Sequence, residues 1–144
     1  MEVPKTLVGW LFTRQPGPLR ARAVVLWWEA RRAPYNVIVG MVGLMTSAVM
    51  VTIAFVCESR GGAPIGLPDP PAFALVGVLL YGILANVCYT GGWITELLVG
   101  KLWAVDTARF GPIAFILGTG FSVLVTLAPA GLVVIVAAMT ACGR

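Results

Sequence analysis

The segment FGPIAFILGTGFSVLVTLAPAGLVVIVAAMTACG, residues 110–143, runs for 34 positions without a charged side chain. Two further windows, residues 33–57 and 70–95, are uncharged over 25 and 26 positions. About 20 apolar residues are enough for a helix to cross roughly 30 Å of hydrocarbon. Each window therefore predicts one transmembrane helix, and we expect an all-α integral membrane protein.

The composition supports this fold class and excludes much chemistry. Of the 144 residues, 59% are apolar and 11% are charged, against about 45–50% and about 25% in soluble domains. The chain has no His, so imidazole metal ligands, proton shuttles and Ser–His or Cys–His nucleophilic pairs are excluded. We expect no catalytic residues, no cofactor and no metal site. The protein is thus expected not to be an enzyme.

The charge-free windows and the Gly- and Pro-rich stretches between them divide the chain into six segments. The predicted bounds are 1–34 for a cytoplasmic arm with an interfacial helix, 35–57 for the first span, 58–71 for an outer loop, 72–98 for the second span, 99–109 for a cytoplasmic loop and 110–142 for the third span.

The segment before the first span has the pattern of an amphipathic helix. An apolar stripe is formed by Leu19, Ala23, Leu26, Trp27 and Ala30, and the remaining arc is occupied by Arg20, Arg22, Glu29, Arg31 and Arg32. This pattern favours a helix lying in the membrane interface. Apolar residues including Trp28 interrupt the polar arc, so a partner helix explains them as well as lipid does. Pro34 suits the first turn of the span that follows.

Lysine and arginine counts predict the orientation, because basic residues resist translocation. Eight flank the predicted cytoplasmic side and two the outer side, which places the N-terminus in the cytoplasm and the C-terminus outside. All five tryptophans, a residue type that prefers membrane interfaces, fall on the cytoplasmic side. The basic residues are Lys5, Arg14, Arg20, Arg22, Arg31, Arg32, Lys101 and Arg109 inside, with Arg60 and Arg144 outside.

The third window is too long for one perpendicular helix, since 34 residues extend roughly 51 Å. A single helix kinked near Pro129 is the favoured interpretation, and a re-entrant hairpin is the alternative. In the second span, Gly91 and Gly92 predict a bend or a thinned helix near the cytoplasmic end.

Polar side chains within the spans form a candidate polar cluster. Spacings of three and four put Asn86, Tyr89, Trp93 and Glu96 on one helix face. We expect Asn36 of the first span to meet Asn86 or Tyr89, and an arginine of the first helix to pair with Glu96 at the interface. Packing between helices is favoured over a headgroup or small-ligand site. The cluster comprises Arg31, Arg32, Asn36, Asn86, Tyr89, Trp93 and Glu96.

Small residues and cysteines leave further alternatives open. Faces with Gly40 and Gly43 on the first span and Gly118 on the third allow close helix approach, within one chain or between copies. The three cysteines lack metal-ligand spacing. Cys57 and Cys142 lie at the outer ends of their spans, where a disulfide is possible in an oxidising compartment. Unpaired thiols are the favoured interpretation.

Two blocks, WWEARRAPYN at 27–36 and NVCYTGGWITE at 86–96, resemble a family of small uncharacterised bacterial multi-helix inner-membrane proteins. The resemblance implies a bacterial inner-membrane location and assigns no reaction.

The leading functional hypothesis is a non-catalytic small membrane protein, either an accessory subunit with a membrane-protein partner or a self-associating scaffold. It rests on the short segments outside the membrane and on the lack of an acid, base or nucleophile set. The alternative is an oligomeric transporter or channel lined by the polar stripe of the second span. A lipid-modifying enzyme is the weakest possibility. The lipid bilayer is an expected partner in every case, and nucleic acid is not.

Overall fold

The computed structural model describes residues 9–10, 21–61, 72–103 and 109–139. These ranges form three long helices with short turns and contain no strand: α1 is Ala21–Ser59, α2 is Ala72–Trp103 and α3 is Phe110–Met139. Each helix is long and apolar enough to cross a membrane. The predicted all-α architecture with three helices capable of spanning a membrane is confirmed.

Each helix contributes to two compact units. Unit 1 comprises Met1–Val37 and Ala85–Phe121, and unit 2 comprises Ile38–Leu84 and Ser122–Arg144. All five tryptophans and every member of the candidate polar cluster belong to unit 1. The candidate site therefore lies within unit 1.

The helix start predicted at Pro34 is wrong, because α1 continues through this residue. Proline has no N–H to donate to the carbonyl of Ala30. The residues on either side are nevertheless fixed by packing: Arg31 is 4% exposed and Tyr35 is 2% exposed. Packing of a buried face outweighs local helix preference, so the predicted interfacial segment and the first span are one continuous helix.

The buried face of α1 in unit 1 consists of Val24, Trp28, Arg31 and Tyr35. Their spacings of four, three and four residues place them along one side of the helix. Leu26, from the predicted apolar stripe, is 58% exposed. Ala23, Leu26 and Ala30 of this stripe are exposed, whereas Leu19 lies outside the described residues. Trp28 is explained by packing against the chain's own helices rather than by lipid.

Turn chemistry accounts for two helix boundaries. After α1, the N–H groups of Arg60 and Gly61 donate to the carbonyls of Cys57 and Glu58 at 3.2 and 3.0 Å. Gly61 has a φ of 74°, a left-handed conformation that glycine adopts without a Cβ clash and that commonly ends a helix. At the start of α3, Pro112 occupies the first turn, where a missing N–H costs little.

Unit 2 contains a hydroxyl network that the sequence patterns did not single out. Tyr81 Oη lies 2.6 Å from Thr126 Oγ1 and donates to the carbonyl of Ser122 at 3.0 Å. A Cβ added at Gly43 would lie 3.7 Å from Thr126 Cγ2, which is ordinary contact. A Cβ at Gly40 would meet no atom of the described residues within 4 Å. Among the described residues, the small-residue face of α1 is therefore packed at Gly43 and open at Gly40.

The cysteines differ in their states. Cys57 is disulfide-bonded and 2% exposed, which corrects the expectation that it is an unpaired thiol. Cys88 is free and exposed. Cys142 lies outside the described residues. Cys57 is therefore part of a covalent link and not simply a small apolar residue on the buried face of α1.

We expect reduction to change the electrophoretic mobility of the purified protein, because opening the bridge removes a constraint on the denatured chain. Cys57→Ser should migrate like the reduced wild type under both conditions. Cys88→Ser is the matched control and should retain the shift. Equal mobility of oxidised and reduced wild type would contradict the bridge.

Candidate functional site

A buried hydrogen bond between α1 and α2 lies at the centre of unit 1. Trp28 Nε1 donates to Glu96 Oε2 at 2.8 Å. The two residues are 2% and 1% exposed. An indole N–H is a donor only, and a carboxyl oxygen accepts it well. Glu96 is thus enclosed within unit 1 and accepts a hydrogen bond from Trp28. The sequence had predicted an arginine as its partner.

Tyr89, two turns before Glu96 on α2, also bonds to Trp28. Its hydroxyl donates to the carbonyl of Trp28 at 2.5 Å, and its ring meets the Trp28 ring edge-on at a centroid distance of 5.3 Å and an interplanar angle of 81°. Phe115 of α3 lies 6.3 and 6.4 Å from these two rings. Edge-to-face contacts of this kind add to apolar burial, so the aromatic cluster ties together segments of all three helices.

Close approach at this point requires a glycine. A Cβ built on Gly92 would lie 2.8 and 3.0 Å from Cη2 and Cζ3 of Trp28, which is well inside van der Waals contact. The neighbouring Gly91 would meet nothing within 4 Å among the described residues. The Gly91–Gly92 pair predicts a helix bend from the sequence. In the structure, Gly92 instead provides the space in which the Trp28 ring packs.

Arg31 is held by aromatic rings and backbone carbonyls. Its guanidinium carbon lies 4.4 Å from the ring centroid of Trp10 and 4.0 Å from that of Trp27, distances typical of cation–π interactions. Nη1 donates to the carbonyl of Trp27 at 3.0 Å, and Nη2 donates to the carbonyl of Trp10. These contacts link Trp10 to α1.

Arg32 has a more exposed setting than Arg31. Its Nη2 donates to Glu29 Oε1 at 2.7 Å and to Thr90 Oγ1 at 3.0 Å, and its guanidinium lies 5.4 Å from the Tyr89 ring centroid. About a third of the Arg32 side chain, 32%, is exposed. An exposed i,i+3 ion pair such as this contributes little to stability. A pairing of either arginine with Glu96 stays a prediction.

The expected contact between Asn36 and Asn86 is present. Asn86 Nδ2 donates to Asn36 Oδ1 at 3.0 Å, and Asn36 Nδ2 donates to Asn86 Oδ1 at 3.3 Å. Tyr35 Oη donates to the carbonyl of Ala85 at 3.4 Å beside this pair. The reciprocal amide pair lies on the surface of unit 1, in contrast to the enclosed Trp28–Glu96 bond.

No family model, curated protein or solved structure matches the chain.

The last member of the candidate cluster, Trp93, lies half-buried on α2. Its Nε1–H is enclosed and has no acceptor within the described part of the chain. Among the described residues, no group of three or more His, Cys, Asp or Glu side chains is placed to hold a metal ion. Within the cluster, Asn36 and Asn86 bond to each other across α1 and α2, whereas Tyr89 and Glu96 bond to Trp28.

Sequence reasoning missed three residues that organise the site: Trp28, Gly92 and Phe115. One signal for Trp28 was available, because it interrupts the polar arc of α1 and so indicates a helix packed on that side. Phe115 carries no such signal, since it lies in a uniformly apolar window. Gly92 was visible in the sequence as a small residue, but the sequence does not show that the Trp28 ring packs against it.

Proposed function

We propose that the protein is a non-catalytic integral membrane protein that acts through association, as an accessory subunit or as a self-associating scaffold. The observation that carries the proposal is the enclosure of the polar groups of unit 1. Glu96 and Tyr89 are 1% and 6% exposed and bond to Trp28. Groups used in this way position helices and are not presented to a substrate.

The same enclosure weighs against the alternative, an oligomeric transporter or channel. A conducting path along the α2 stripe requires its polar groups to line an opening. Tyr89 and Glu96 instead lie in the interior of unit 1, and only Asn86 of this stripe takes part in a surface pair. Interhelical bonds of this kind contribute about 0.6–2 kcal/mol each, enough to hold a bundle in register.

The proposal includes a bacterial inner-membrane location, with the N-terminus cytoplasmic and the C-terminus outside. The eight-to-two distribution of basic residues supports this orientation. The presence of every tryptophan in unit 1 supports an interface at that unit. Interfacial placement of the first turns of α1 and a kink at Pro129, which lies inside α3, belong to the same proposal.

Site-specific photocrosslinking in intact membranes tests the association. Phe121 and Phe115 lie on the same helix and in the same unit, but they are 69% and 2% exposed. We expect p-benzoylphenylalanine at position 121 to give an adduct larger than the chain by the mass of a protein. The same probe at position 115 should give none, because the chain's own side chains surround it.

The proposal fails if exposed positions such as 121 and 117 give only lipid adducts while the purified protein conducts ions or protons in proteoliposomes. Loss of that flux in Glu96→Gln would establish the transport alternative.

A further inference from the structure

Four polar side chains form a continuous patch on unit 1, which we call the amide–guanidinium patch: Arg32 and Asn36 of α1 with Asn86 and Thr90 of α2. In each helix the two residues are one turn apart, so they lie on the same face. Two cross-helix contacts join them, Arg32 to Thr90 at 3.0 Å and Asn86 to Asn36 at 3.0 Å. Thr90 Oγ1 also donates to the carbonyl of Asn86 at 2.9 Å.

The patch retains donor capacity for an outside acceptor. Arg32 uses Nη2 for its two bonds, and its Nη1 makes none within the described part of the chain. Asn36 is exposed and uses one of its two amide N–H groups in the pair with Asn86. A guanidinium and a primary amide together present N–H donors and one positive charge.

The surroundings of the patch are those of a membrane boundary. Arg32 is the last charged residue before an uncharged window that begins at residue 33. Val37 and Val87, which follow the two asparagines, are 63% and 61% exposed. Amide donors next to hydrocarbon are costly unless an acceptor satisfies them. The phosphate of a phospholipid is the acceptor that occupies this level of a bilayer, with its acyl chains against the apolar surface.

We propose that the amide–guanidinium patch binds the phosphate of an anionic phospholipid, with Arg32 supplying the charge and Asn36 an amide donor. Guanidinium and phosphate form strong, directional hydrogen bonds. Glu29 accepts from the same guanidinium at 2.7 Å and so competes with the lipid. Charge complementarity favours an anion over a second copy of the chain, which would bring another guanidinium to the same place. The inference does not depend on the proposed function.

Native mass spectrometry of the purified protein, titrated with phosphatidylglycerol or phosphatidylcholine, tests the proposal. The wild type should bind phosphatidylglycerol more tightly. Arg32→Gln should weaken that binding about tenfold, since a hydrogen bond to a charged group is lost. It should weaken phosphatidylcholine binding less, because the choline cation offsets the charge of that phosphate. Glu29→Gln should strengthen it several-fold by removing the competing carboxylate. Arg22→Gln makes the same charge change at an exposed position of α1 and should stay within twofold of wild type.

Equal weakening in Arg32→Gln and Arg22→Gln, or no response to Glu29→Gln, overturns the proposal. Glu29→Gln removes only the exposed ion pair between Glu29 and Arg32, so this variant should fold and still tests the proposal if Arg32→Gln does not fold. Displacement of phosphatidylglycerol by micromolar inorganic phosphate would assign the patch to a soluble anion instead. A changed dimer fraction in Arg32→Gln with unchanged lipid binding would assign it to a second copy.

Discussion

Trp28→Ala is expected to lower the free energy of unfolding by about 3–5 kcal/mol, the range for truncating a large buried aromatic side chain. Trp28 is 2% exposed, contacts rings of α1, α2 and α3, and supplies the indole donor to Glu96. Its loss leaves a cavity and removes a hydrogen bond from an enclosed carboxyl group. Reversible unfolding in mixed detergent micelles, followed by circular dichroism, measures the effect.

Trp103→Ala is the matched control, because Trp103 is 66% exposed and its replacement removes an indole without opening a cavity. Trp28→Phe separates the two contributions of Trp28: it keeps an aromatic ring but lacks the N–H, and should cost about 1–3 kcal/mol. Similar unfolding free energies for Trp28→Ala and Trp103→Ala would show that the Trp28 cluster does not hold the helices of unit 1 together.

Gly92→Ala and Gly91→Ala are expected to change stability in opposite directions. A methyl group at position 92 meets the Trp28 ring at 2.8 Å, and overpacking of this kind costs about 1–3 kcal/mol. At position 91 the methyl group meets no described atom, so the better helix propensity of alanine should stabilise the protein by up to about 1 kcal/mol. The same unfolding measurement compares the two variants.

A second substitution shows whether the Trp28 ring causes the effect at position 92. Trp28→Phe shortens the ring that the new methyl group meets, so Gly92→Ala should be less harmful in that background than in the wild type. Equal costs in both backgrounds, or equal effects at positions 91 and 92, would refute a close approach of Trp28 to α2.

The three helices were predictable because length and charge alone decide them. The Asn36–Asn86 contact was predicted from the approximate position of both residues in the cytoplasmic halves of their windows: Asn36 follows Arg32 by four residues, and Asn86 precedes Glu96 by ten. Such arguments use position along the helix axis, which is fixed at 1.5 Å per residue.

Rotation about the axis was harder to predict. Leu26 of the predicted apolar stripe is exposed, whereas Trp28 is buried and donates to Glu96. In a bilayer the exposed face is also apolar, so hydrophobicity does not tell the inner face from the outer one. Pro34 shows a second limit, since local preference predicts a helix start there whereas contacts of Arg31 and Tyr35 with distant residues keep α1 continuous.

The confinement of every tryptophan to unit 1 has a spectroscopic consequence. Unit 2 contains Tyr81 but no indole, so intrinsic tryptophan emission reports on unit 1 alone, whereas far-ultraviolet dichroism reports on helices in both units. Midpoints that differ between the two signals would reveal that the units melt separately. Coincident midpoints would identify a single cooperative transition. The unmodified chain thus carries a built-in optical reporter for one of its two units.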